Sequence, residues 1–214
     1  MADPANESLS DLVAMFQERI KQLRTAGDLG PLLATANLAV DEIERRVANE
    51  HWDNNEPWNT AERQALTAAQ RFAFNAAADC WPGWSVPIQP ARNLQAAKAL
   101  AQRSLGNVNK LALGPLREGT GIWLCGAFDL ALGNYTDASS AFSVARQHYL
   151  NAKAPGLALL MEGYLAIVRQ LAENQVPEAG EDLHQVCSRI AQGAFEDGAE
   201  WIEQLQMAQK VFAS

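Results

Sequence analysis

Three histidines, three cysteines and 25 carboxylates are where chemistry would start in this chain, and their spacing favours no reaction. Glu181-Asp-Leu-His184 has the Glu-x-x-His spacing that a carboxylate-bridged di-iron bundle needs twice, with two further carboxylates on facing helices. It occurs once, so it reads as a solvated helix face. His51, His148 and His184 include no His-x-x-x-His pair, so no single helix offers zinc two ligands. No Cys-x-x-Cys and no Gly-x-x-x-x-Gly-Lys loop occurs. Leu105-Gly-Asn-Val-Asn109 and Gly114-Pro-Leu-Arg-Glu-Gly-Thr-Gly121 read as glycine-bearing turns without a preceding strand, which removes a dinucleotide fingerprint. Asp41-Glu-Ile-Glu44 spreads around a helix and is followed by Arg45 and Arg46, which argues against a metal site. A Ser, His and Asp inventory exists, but no nucleophile elbow holds it. The expectation is a chain with no catalytic residues, no metal and no cofactor.

Composition narrows the classes further. Hydrophobic residues make up 48% and charged residues 20% of 214 residues, a globular balance that excludes disorder as the main theme. A formal net charge of −8 argues against neutralising nucleic-acid phosphates. No apolar run reaches the length of a membrane span, and the first residues lack a basic segment followed by an apolar one. Cys80, Cys125 and Cys187 lie far apart within apolar helical patterns and read as reduced core thiols of a cytoplasmic protein.

The elements that would position any site are helices throughout. Leu9, Leu12, Val13, Phe16, Ile20 and Leu23 recur at helical spacing behind a Ser8–Asp11 capping pattern. Pro31 suits the first turn of a second helix carrying Leu32, Ala36, Val40, Ile43 and Val47. Asn59 with Glu62 opens a third, and helices follow at about 91–105, 115–132, 136–152, 155–174, 177–192 and 196–213. No segment alternates with period two. The fold class is therefore all-α, as antiparallel pairs of about nine helices in one domain over 1–214. Within it, an N-terminal hairpin covers about 8–50, helix pairs about 60–192, and a capping helix about 196–213.

Self-similarity selects an architecture. Gly126, Gly133, Tyr135, Ala138, Phe142 and Ala145 follow the order small, glycine turn, aromatic, alanine, aromatic, alanine. In this, residues 119–152 resemble one tetratricopeptide repeat unit. About 41 residues on, Asn174, Val176, Ala179, Leu183 and Val186 take the corresponding positions, with Gly163 as the small residue only if the first helix is a turn longer. About 41 residues back, Leu94, Ala97, Ala101 and Ser104 give a weaker match. Two departures from the family are Asp129, which replaces the first-helix tyrosine, and a period longer than its 34 residues.

The resemblance implies a right-handed stack of helix pairs whose first helices line a groove for a peptide or protein. Carrying the family's groove positions over selects Thr120, Trp123, Ala127 and Leu130 on one unit, and Leu157, Leu160, Tyr164 and Ile167 on the next. These are mostly apolar and lack the basic and amide groups of the family's peptide-tail binders. The groove would be filled by the N-terminal hairpin or the C-terminal helix, or would take a hydrophobic partner, a second copy forming a homodimer, or a small apolar ligand. Of the six tryptophans, Trp52, Trp58, Trp81 and Trp84 flank the third helix in loops, as staples or as an aromatic patch. The reading is a non-catalytic protein-interaction or scaffold module. The alternative is a compact helical bundle binding a small apolar ligand or housing an enzyme site.

Overall fold

A computed structural model describes residues 8–50, 57–84, 87–172 and 182–213. Among them are nine α-helices and no strand: α1 (Leu9–Ala26), α2 (Leu29–Glu50), α3 (Thr60–Ala78), α4 (Ala91–Lys110), α5 (Pro115–Ala131), α6 (Tyr135–Asn151), α7 (Pro155–Ala172), α8 (Leu183–Gln192) and α9 (Gly198–Phe212). A short 3₁₀ turn, Pro82–Trp84, lies between α3 and α4. The all-α class and the helix number agree with the sequence reading.

Local chemistry sets the ends. Ser8 and Asp11 close a capping box on α1, and Asn59 and Glu62 close another on α3, so orphan amides are satisfied where each chain segment enters its helix. Gly27 at φ 69° and Gly133 at φ 77° take the left-handed conformation that ends α1 and turns α5 into α6. One boundary is corrected. Leu105–Asn109 is helical, because α4 continues through Gly106 to Lys110 and its last turns face α2 and α5. The Gly114–Gly121 segment likewise belongs to α5, with Pro115 in its first turn.

Direction follows from the contacts. Gly119 abuts Tyr149 and Gly126 abuts Ala141, so α5 and α6 run antiparallel. Arg63 reaches the Leu111 carbonyl and Gln70 reaches Ser104, giving the same sense to α3 and α4. Helices two apart run parallel. Residues 9–13 of α1 lie beside 61–65 of α3, and 17–24 beside 68–75. On the other side of the molecule, Arg103 of α4 spans Asp41 and Glu44 of α2 at 2.6 and 2.8 Å while Asn107 donates to Glu44. Asp41 and Glu44 of the acidic run are thus paired with α4, and Glu42 with Arg45 of α2 itself. One apolar cluster runs from α1 through α9.

Candidate functional site

Six of the eight residues selected as groove positions are covered, and the other two, Thr120 and Leu157, are half-buried. Trp123, Ala127, Leu130, Leu160, Tyr164 and Ile167 are all buried, Tyr164 and Ile167 completely. What covers them is the chain itself. Trp81 inserts its indole between α5 and α7, donating its N–H to the Ala127 carbonyl at 3.2 Å and meeting Trp123 and Tyr164 edge-on at 5.8 Å each. Phe212 of α9 lies 6.4 Å from the Trp81 ring, and Gln204 of α9 donates to the Tyr164 hydroxyl at 2.6 Å. As an open apolar groove this surface does not exist: its aromatic area is used to seat the 3₁₀ turn and α9.

Sequence and site connect through small residues. A Cβ on Gly163 would collide with Leu205, and one on Gly156 with Trp201, so both glycines let α9 settle on α7. Gly163 therefore serves the contact of α7 with α9. Asp129, at the departing position of the best unit, is buried and salt-bridged to Lys98 of α4 at 2.5 Å, with Asn134 donating at 3.1 Å. Burial pushes the Tyr149 phenol up to about 12, its bond with Thr120 pulling weakly the other way, and raises Tyr164 further. Cys80 and Cys125 are pushed up to about 11, mainly by burial, and all three thiols are free.

The remaining chemical candidates separate. His184 is exposed on α8, and Glu181 lies outside the described residues, as do His51, Trp52, Asn174, Val176 and Ala179. His148 stands 3.0 Å from Glu118 across α5 and α6. Among the described residues no three His, Cys, Asp or Glu side chains gather as a metal-binding group, and no helix is long and apolar enough to cross a membrane. Of the loop tryptophans, Trp81 is fully buried and Trp84 keeps 41% exposure beside Trp123, while Trp52 lies outside the described residues.

Sequence reasoning missed an open site on the same face, nearer the N-terminus. A cleft of about 290 Å³ between α1 and α3 is bordered by Gln17, Lys21, Arg24, Arg71 and Asn75, with Ile20 and Phe72 at its base. A second, of about 570 Å³, lies between α3, the end of α4 and α5, with Arg71, Asn75 and Arg117 at its edge and Phe74, Val108 and Leu113 as apolar lining. Arg71 and Asn75 belong to both, so the clefts form one groove across three helices. Arg24 is held by Asp79 at 2.5 Å. The side chains of Lys21, Arg71 and Arg117 have neither ion pair nor hydrogen bond among the described residues. Of the earlier groove positions, Thr120 alone borders this opening. A signal existed: Gln17, Lys21 and Arg24 share one helical face, as do Thr67, Arg71, Phe74 and Asn75. Periodicity counts such faces as solvated.

Set against protein-family models, curated proteins and solved structures, the chain matches none of them.

Proposed function

We propose that this protein is a tetratricopeptide-like right-handed array acting as a non-catalytic protein-interaction or scaffold module, and that its binding surface is the open groove over α1, α3 and α5. The observation carrying this reading is the division of one face. Its C-terminal part is closed by Trp81 and α9, whereas its N-terminal part holds two joined clefts edged by unpaired cations. Alternating antiparallel neighbours with parallel next neighbours support the repeat architecture, as does the close approach at Gly126, whose added Cβ would stand 2.8 Å from Ala141. The groove offers charge, amides and apolar floor, but no histidine or thiol borders it. That equipment binds rather than transfers protons. Three free thiols, each raised above the usual range by burial, support a reducing, cytoplasmic setting.

A photo-crosslinking residue placed at Asn75, and separately at Val144 on α6, tests the reading in native lysate. Val144 is exposed and borders neither cleft. A defined protein attached through Asn75 and absent at Val144 is the expected outcome. Partners captured only at Val144, or a metal-dependent turnover of the purified chain, would contradict it.

A further inference from the structure

We infer that the groove takes an extended acidic segment of a partner protein, one that presents two carboxylates with an apolar side chain between them. This rests on the binding-module reading and adds the chemistry of the occupant. The first support is charge. A chain of formal net charge −8 gathers Lys21, Arg71 and Arg117 along these clefts with no ion pair among the described residues, and Arg24 there is paired with Asp79. Elsewhere several of its cations are paired with its own carboxylates, Lys98 with Asp129, Arg103 with Asp41 and Glu44, Arg146 and Arg189 with Glu162, and those left unpaired, such as Arg92 and Lys210, border neither cleft. Unpaired guanidinium groups facing a cleft are ready partners for planar carboxylates, which they bind in two-pronged fashion.

The second support is shape. α1 packs directly on α3, and the second cleft, bounded by the end of α4, separates α3 from α5, so a path from α1 over α3 to α5 exceeds one interhelical spacing of about 8–10 Å and takes several extended residues. Alternate side chains of an extended segment point to the same side. Residues i, i+2 and i+4 of the segment would therefore face the groove: a carboxylate toward Lys21 and Arg24, an apolar group near Arg71 against Phe72 or Phe74, and a second carboxylate toward Arg117. Asn75 stands beside that path, where its amide reaches the segment's backbone. Arg71 lines both clefts, so it is the residue on which binding depends most.

The test uses the intact chain and fluorescent peptides built on Glu-Ser-Leu-Ser-Glu, with Gln-Ser-Leu-Ser-Gln and Glu-Ser-Ser-Ser-Glu as comparisons, read by anisotropy at low and high salt. The expected result is saturable binding of the first peptide that weakens with salt, since exposed charge pairs are screened. Replacing either both carboxylates or the leucine should weaken it about tenfold, and Arg71→Glu should do the same with an unchanged melting temperature. Arg92→Glu and Lys210→Glu, which remove unpaired cations outside the groove, should leave binding within about twofold. Equal binding of the glutamine peptide, or equal losses from Arg71→Glu and Arg92→Glu, would overturn the inference. So would a salt-sensitive dimer in sedimentation that excludes the peptide, because the occupant would then be a second copy. If crosslinking at Asn75 captures a partner while the acidic peptide fails to bind, the module reading stands and the acidic occupant falls.

Discussion

The two ends of one helical face have been put to opposite uses. Around α5, α7 and α9 the face is aromatic, and it is closed by Trp81, Phe212 and Gln204 with hydrogen bonds at the Trp81 indole and the Tyr164 hydroxyl. Around α1, α3 and α5 it is basic and amide-rich, and it stays open over an apolar floor. The difference teaches that residue type alone does not say which surface stays open. A contiguous apolar stripe is the surface a chain covers first, since burying it stabilises the fold by roughly 25 cal/mol per Å². Long polar side chains beside a shallow apolar floor gain little from burial and remain for a partner.

That contrast is broken most severely at Trp81. Trp81→Ala removes a fully buried side chain shared by α5, α7 and α9, and should lower stability by about 3–5 kcal/mol in urea unfolding. A loss below about 1 kcal/mol would mean that the closed end is loosely held. Gln204→Ala comes next, since it leaves the buried Tyr164 hydroxyl without its amide donor, at a cost of about 1–3 kcal/mol. Tyr164→Phe in the same background should recover part of that loss.

The closed interior also sets an alkaline limit. Cys80 and Cys125 are raised from 9.0 to about 11 and Tyr149 from 10.0 to about 12, so the unfolded chain releases these protons before the folded one. Their contribution is complete below pH 9.0 and is lost as the pH climbs through about 12. Urea midpoints should fall across that window, and Tyr149→Phe should flatten the upper part of the decline. The open end answers least. Asp79→Asn breaks a half-exposed pair with Arg24 and should change stability by less than about 1 kcal/mol, while raising acidic-peptide affinity by freeing that guanidinium.

Much of the fold was legible because the relevant signals are local. Capping pairs at Ser8 and Asn59, glycine turns at Gly27 and Gly133, and the apolar stripe of α1 are properties of a few adjacent residues. Gly106 misled because a glycine inside a helix and a glycine at a turn look alike until tertiary contacts decide, and here those contacts keep α4 helical to Lys110. Whether the apolar groove positions stay open or are filled by the chain's own elements was not legible, for a different reason. Which apolar face is covered depends on where α9 and the Pro82–Trp84 turn return, and no spacing within α5 or α7 encodes that. Arg71 and Arg117 are 46 positions apart and on separate helices, so only the parallel course of α3 and α5 brings them to one cleft.

Hydroxyl-radical footprinting of the intact chain, read residue by residue by mass spectrometry, measures the division of this face most directly. Trp84 should oxidise quickly, while Trp81, Trp123 and Tyr164 remain protected until the chain unfolds. Oxidation of Trp123 and Tyr164 at the rate of Trp84 in the folded protein would contradict the closed end and return the aromatic face to the list of open binding surfaces.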